Sequence, residues 1–388
     1  MVLMIYVNVR LSLIMAKIRR RKSADEKKMS VFNKIILTLN IIAALLLLLS
    51  YMAPSTDPRD NSIVAVLGFG YLALLFVNII FVVYWAVVLK GYYTLISAIC
   101  ILLGIGMLLD NFALHFNNRI PKEKFEPNIR LMQYNVHEFE DRSKTHPIQN
   151  DITSLVELYQ PDIISFEEYK SKALENGAIA GAIKKALKTN YFYFEPFSIN
   201  NKDTTGNAIF SKYPIINKGR IPSPKMLGTR SLFADIKYGD KIIRVYSIHL
   251  AAVHIQENQK RELLKGNGYL DNTSFLKNML SSAFVARSFQ VSLIKKHISN
   301  CPYPVIIMGD FNDTPNSFAV NEIGIGLKNA FNEKGSGFET TYYSKLPLHI
   351  DYIFTSPQFD IINYEAFDNE LSDHKPLISD IKRGKLIH

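Results

Sequence analysis

Val305-Ile306-Ile307-Met308-Gly309-Asp310-Phe311-Asn312-Asp313-Thr314-Pro315 joins an uninterrupted apolar run to a turn crowded with polar side chains. A run this short, bounded by turn residues and rich in branched side chains, reads as a strand. The same design recurs along the chain. Gln133-Tyr134-Asn135 closes a strand over residues 129–134, and Pro161-Asp162-Ile163-Ile164-Ser165-Phe166-Glu167-Glu168 ends another, over 163–166, with a carboxylate pair. Tyr246-Ser247-Ile248-His249-Leu250 ends a strand over 242–249 with a histidine. His349-Ile350-Asp351-Tyr352-Ile353 opens a strand over 350–355, and Leu371-Ser372-Asp373-His374-Lys375-Pro376 adds a carboxylate and another imidazole. Polar groups gathered at strand ends are how an enzyme of layered sheets assembles a site.

Working outward, two more runs, 208–210 and 231–236, complete the set of expected strands. Helical segments fall between them at 151–159, 173–187 and 274–298; in the last, Leu276, Met279, Leu280, Phe284, Phe289 and Leu293 share a face. This mixture predicts a layered domain over residues 129–388. No repeat or low-complexity linker divides it. A polar stretch, 252–272, enters just after His249 and reads equally as a substrate-facing loop or a solvated excursion.

The chain ahead of that domain is built for another solvent. Apolar runs at 35–52, 62–89 and 92–109 each approach or exceed the ~20 residues that carry a helix across a bilayer, and none keeps a polar face. Three transmembrane helices are therefore expected within 35–110, after a basic segment, 1–34, and before a connector, 111–128. Lys17, Arg19, Arg20, Arg21, Lys22, Lys27, Lys28 and Lys34 precede the first run, whereas Asp57, Arg59 and Asp60 lie between the first two. Basic flanks stay inside, so the Lys90-Gly91 return is cytoplasmic and the third crossing delivers the remaining chain outside an inner or plasma membrane. Met29 is an alternative start to Met1, which would leave Lys34 and Lys90 to carry the orientation.

The formal charge of +10 divides unevenly. Through Asp110 there are 11 Lys+Arg and 5 Asp+Glu, leaving 34 against 30 beyond it, so the soluble region is only weakly basic. Its composition carries no strong nucleic-acid footprint. Two cysteines, Cys100 and Cys301, exclude a disulfide framework and a Cys-rich metal site.

Taken in order, Asn135 at a first strand end, Glu168 after Asp162-Ile163-Ile164, Gly206-Asn207-Ala208-Ile209, the strand-end His249, Gly309-Asp310-Phe311-Asn312, Ile350-Asp351-Tyr352-Ile353 and Ser372-Asp373-His374 resemble the endonuclease/exonuclease/phosphatase family. The resemblance implies an α+β fold, a four-layer α/β/β/α sandwich, that hydrolyses a phosphoester with Mg²⁺ or Mn²⁺. Hard cations prefer oxygen donors. Glu168 is the first candidate ligand, with Asn135 and Asp373 in the same role or one shell out. Water is the expected nucleophile. His374, paired to Asp351, donates to a phosphate oxygen or exchanges a proton, and Asp310 orients or deprotonates the water. Asn312 and His249 supply donors to the non-bridging oxygens. Asn207 and His137 are candidate substrate contacts, while Glu167 reads as structural and Asp313 as the cap of the following turn.

Three positions depart from the family pattern: His137 where DNA-repair nucleases commonly carry an acid, Glu167 where Gln often stands, and His349 where Arg is frequent. The expected activity is a membrane-anchored phosphodiesterase or phosphomonoesterase acting on a lipid or another surface-presented phosphoester. The alternatives are an extracytoplasmic nuclease for scavenged nucleic acid and a non-catalytic binding module on the same fold; no protein partner is inferred.

Overall fold

The computed structural model describes residues 29–88, 90–115, 120–121, 128–141, 146–171, 177–200, 203–222, 230–253, 269–344 and 348–384. Most of the basic segment, most of the connector and the centre of the polar excursion lie outside these residues.

Apolar helices come first: α1 (Val31–Ser50), α2 (Ser62–Phe69), α3 (Tyr71–Val87), α4 (Gly91–Leu103) and α5 (Ile105–Leu109). Ser30 caps α1 by accepting from the Asn33 N–H at 3.2 Å. Among the described residues, only α1 is by itself long and apolar enough to cross a membrane; α2 and α3 reach that length together but are bent by 63°. Two of the three expected apolar spans are thus interrupted rather than continuous. The run 62–89 breaks at Gly70 and the run 92–109 at Gly104, because glycine is a weak helix former. Gly104 also lies against the Tyr51 ring, where an added Cβ would approach to 2.2 Å.

Polar side chains lock these helices together. Asn40 donates to Ser97 Oγ at 2.6 Å, Ser97 donates to Asn78 Oδ1 at 2.7 Å, and the Trp85 indole donates to Asn40 Oδ1 at 2.9 Å. All four residues are buried, so the network joins α1, α3 and α4 without leaving these donors unmet. The segment expected as a connector begins instead as a strand: β1 (Phe112–Leu114) pairs antiparallel with β11 (Ser336–Phe338).

The larger domain follows as β2 (Ile129–Asn135), α6 (Gln149–Tyr159), β3 (Ile163–Ser171), α7 (Ala178–Leu187), β4 (Tyr191–Asn200), β5 (Asp203–Ser211), β6 (Ile215–Arg220), β7 (Arg230–Tyr238) and β8 (Lys241–His249). Then come α8 (Tyr269–Ser299), β9 (Val305–Asp310), α9 (Phe318–Gly324), β10 (Lys328–Asn329), α10 (Ala330–Lys334), β12 (Asp351–Thr355), β13 (Phe359–Ala366) and β14 (Leu377–Arg383). Two six-stranded sheets result, ordered β13-β14-β2-β3-β5-β4 and β10-β12-β9-β8-β7-β6. Each holds one parallel pair, β2 with β3 and β8 with β9, and the remaining pairs are antiparallel.

Side-chain alternation makes the layers. Leu131, Ile163 and Ile209 from one sheet pack with Leu232, Val245, Ile306 and Met308 from the other. The opposite face of the first sheet, with Met132, Tyr134 and Phe166, packs against Ile152 and Val156 of α6 and Ile183 and Leu187 of α7. On the second, Tyr246, Ile248 and Ile307 meet Val291 and Ile294 of α8 and Val320 of α9. This is the expected four-layer α/β/β/α sandwich. Strands β2 and β9 are buried along their whole length, which is why they read as continuous apolar runs.

Candidate active site

The parallel pairs bring the ends of β2, β8 and β9 and the middle of β3 to one place. Asn135 ends β2 in register with Glu167 of β3, and His249 ends β8 in register with Asp310 of β9. Asp351 opens β12 directly opposite Asp310. Gly309 makes the approach of β8 and β9 feasible: its φ is +154°, and an added Cβ would lie 1.9 Å from the Ile248 carbonyl oxygen.

Adjacent glutamates in β3 part company at a bulge, where the pairing with β5 shifts register between Phe166 and Tyr169. Glu168 takes a left-handed φ of +51° and remains 29% exposed, beside the cleft. Glu167 turns inward, where its carboxylate accepts from Ser165 Oγ at 2.5 Å, Ser247 Oγ at 3.0 Å and Gln133 Nε2 at 2.8 Å. Burial pushes its carboxyl up to about 7. Glu167 is therefore a strut beneath the site.

Asp310 lies at the centre. Its Oδ2 accepts from Asn135 Nδ2 at 3.1 Å and lies 3.8 Å from His249 Nε2 and 3.7 Å from His374 Nε2; its Oδ1 accepts from the Asn312 N–H at 2.8 Å. Burial and the charge of Asp351 push the Asp310 carboxyl well above its usual range against the opposing pull of His374. Asn312, at φ +51°, spends one amide N–H on the Leu250 carbonyl at 3.1 Å.

His374 is held between carboxylates. Its Nδ1 is 2.9 Å from Asp351 Oδ2 while its Nε2 faces Asp310. Burial alone would lower the ring's pKa, but the charges of Asp351 and Asp310 outweigh it and raise it to about 10. The two carboxylates thus favour the imidazolium form of the ring. Thr341 Oγ1 also donates to Asp351 Oδ2, at 2.7 Å, and Gln133 Nε2 donates to Asp351 Oδ1 at 3.0 Å. Thr341, in an irregular segment, has no sequence pattern that points to it. Gln133 stands in the strand-end motif, but its bridging of Glu167 and Asp351 is visible only in three dimensions.

His249 differs from His374. Burial first, then the charges of Arg230 and His374, lowers its pKa to about 3, so the ring is neutral, with Nε2 3.8 Å from Glu168 Oε1 and from Asp310 Oδ2.

Of the sequence-derived candidates, Glu168, Asp310, Asn312, Asp373 and His374 line one cavity of about 560 Å³. Asn135, His249 and Asp351 stand behind that wall and contact it. His137, at φ +44°, places Nδ1 3.9 Å from Asp373 Oδ1 and donates its backbone N–H to Asn135 Oδ1 at 3.1 Å. Asn207 lies apart from the cavity wall. Its amide nitrogen is bound to the Arg230 carbonyl at 2.9 Å and to Ser247 Oγ at 3.1 Å, so its contacts tie β5 to β7 and β8. Asp313 is paired with Arg287 at 2.9 Å and accepts from the Thr314 N–H at 3.1 Å.

Oxygen donors dominate this wall. The described ion-pair partner of Glu168 is His249, which burial keeps uncharged, and that of Asp373 is His137. Carboxylates at a cleft without a Lys or Arg partner among the described residues fit a hard cation. Asp310, Asp351 and His374 also bring possible ligand atoms within 4.8 Å of one another. Within that trio, however, His374 already engages Asp351 through Nδ1 at 2.9 Å and turns Nε2 toward Asp310 at 3.7 Å. That trio reads as a charge network beside the cation site.

The geometry agrees with comparisons of two kinds. Residues 33–111 match a domain of unknown function, DUF8431. An endonuclease/exonuclease/phosphatase from Beutenbergia cavernae shares 16% identity over 66% of this chain and 72% of its own, with a TM-score of 0.50. One from Bacteroides vulgatus shares 17% identity over 67% and 100%, at 0.48; the human Nocturnin catalytic domain with bound sulfate anion shares 17% over 66% and 94%, at 0.47. No curated protein matches the chain. Residues 132–374, more than half of the chain and inclusive of every strand end described above, match the endonuclease/exonuclease/phosphatase family, to which this protein belongs.

Proposed function

We propose that the chain is a membrane-anchored phosphoesterase that uses Mg²⁺ or Mn²⁺ and attacks phosphorus with water. Family members hydrolyse phosphoester bonds. The observation that carries the reading is the chain Thr341–Asp351–His374–Asp310, which opens onto the same cavity as Glu168 and Asp373. Glu168 and Asp373 would hold the cation, with Asn135 in the same role or one shell out, and the cation when bound would neutralise charge on the phosphoryl oxygens.

The residues supply the remaining chemistry. Asp310, whose carboxylate faces His374 Nε2 at 3.7 Å on the cavity wall, takes the proton of the attacking water. The water oxygen bonds to phosphorus as the bond to the leaving oxygen breaks. His374, held charged by Asp351, donates through Nε2 to a non-bridging oxygen as negative charge grows there. Asn312 at the cavity wall offers a further amide donor. The apolar helices anchor this site at a bilayer, with the larger domain extracytoplasmic.

The test uses the full chain in detergent, a chromogenic phosphodiester and a divalent-cation series. Activity should require the cation, and Glu168→Gln should lower kcat by about 10²-fold or more, the scale of a lost catalytic group. Full activity in EDTA, or in the variant, rejects the assignment.

A further inference from the structure

The apolar helices do more than precede the site; one of them forms part of its wall. Phe69, the last residue of α2, lines the 560 Å³ cavity together with Glu168, Asp310 and His374. Its ring packs edge-on against Phe284 of α8, centroids 6.0 Å apart. Leu280, Val253 and Leu348 line the same cavity. One end of the cavity is therefore charged and catalytic, and another part is apolar.

Contacts spread over the whole α1–α2 loop hold Phe69 there. Asp57 Oδ1 accepts from Ser288 Oγ at 2.6 Å, and the Arg59 guanidinium lies 4.9 Å from the centroid of the Phe289 ring. Asn321 Nδ2 donates to the Pro54 carbonyl at 3.0 Å. Gly68 passes close to the larger domain: an added Cβ would lie 3.1 Å from the Asn316 carbonyl oxygen and 2.3 Å from Ala53 Cβ. Beyond the 63° bend, α3 exposes Phe76, Ile79, Ile80 and Val83. Apolar side chains thus stand both on the cavity wall and on the helix that follows Phe69 in the chain.

We propose that the substrate is a phosphoester carrying a long apolar chain, drawn from the bilayer, whose chain lies along Phe69 and Leu280 while its phosphate meets Asp310 and His374. This rests on the phosphoesterase reading above and adds the substrate class. Burying a hydrocarbon chain against this wall would stabilise the bound state, and a small soluble ester would gain nothing from it.

Two probes separate the claims: methyl p-nitrophenyl phosphate and dodecyl p-nitrophenyl phosphate, which share the bond cleaved and the leaving group. With the full chain in lipid nanodiscs and Mg²⁺, the dodecyl ester should show a kcat/KM at least about tenfold higher, the scale of one well-buried apolar contact. Phe69→Ala should shrink the dodecyl-to-methyl ratio toward one, chiefly through KM. Partition of the ester into the disc is the same for both proteins, so the change in ratio belongs to the wall. Leu280→Ala, in the larger domain, gives a second reading should Phe69→Ala fail to fold. Hydrolysis of both esters without tail preference, or a preference untouched in both variants, overturns the inference and leaves the phosphoesterase reading standing. Hydrolysis of neither overturns both. A duplex oligonucleotide cleaved with a higher kcat/KM than the dodecyl ester also overturns the substrate class.

Discussion

His374 and His249 are both buried strand-end or turn histidines near Asp310, yet their surroundings drive them in opposite directions, to about 10 and about 3. The difference lies in Asp351, which meets one ring at 2.9 Å and lies on the far side of Asp310 from the other. Asp351→Asn should keep the volume and the Thr341 contact but remove the charge that holds His374 protonated. The expected outcome is a loss of about 10²-fold or more in kcat with a modest change in KM, read from steady-state rates on a soluble phosphodiester; a variant within twofold of the parent would remove His374 from the proposed chemistry. These residues were legible because apolar runs stop abruptly at polar groups. Thr341 was not, since it lies in a loop whose neighbours carry no periodicity. Phe69 was hidden differently: in sequence it is one apolar residue among many in a membrane-like run, and only the fold sets it against Phe284.

At the scale of elements, the expected strands recover β2, β3, β5, β7, β8, β9 and β12, and two of the missed strands show why. Strand β14 lies between β13 and β2, but its pattern is broken by Ser379 and Asp380, both buried. Asp380 is tolerable there because Arg130 of β2 meets it through two bonds, Nε to Oδ1 at 2.7 Å and an Nη to Oδ2 at 2.9 Å. A partner 250 positions away cannot be inferred from local periodicity. Strand β4 is interrupted by Pro196, beside which its pairing with β5 shifts register. Arg130→Met should therefore be costly, by about 3–5 kcal/mol, because it leaves Asp380 buried with its main countercharge gone. Replacing Asp380 as well, by Leu, should return part of that loss. Urea unfolding of the full chain in detergent measures both; a single variant as stable as the parent would show the ion pair to be dispensable.

At the scale of the whole molecule, the seam between the α1–α2 loop and the larger domain constrains topology more tightly than hydropathy does. Pro54, Asp57 and Arg59 touch Asn321, Ser288 and Phe289, so that loop and the larger domain must share one side of any membrane the helices cross. If α1 crosses and α3 returns to Lys90, as the apolar runs of the sequence imply, then the chain through α4 and α5 has to cross again to bring β1 into register with β11. The helix breaks that cost the apolar runs their continuity leave this parity intact. Which side it is depends on the basic flank alone, and that argues for the outer face. In a background with Cys100 and Cys301 changed to Ser, single cysteines at Ser55, Lys90 and Lys188 report all three regions to an impermeant maleimide. Ser55→Cys and Lys188→Cys should label in intact cells, whereas Lys90→Cys should label only after lysis. Label at position 90 alone in intact cells would reverse the orientation while sparing the seam. Positions 55 and 188 reporting from opposite sides would break the seam itself, and with it the route by which Phe69 reaches the catalytic wall.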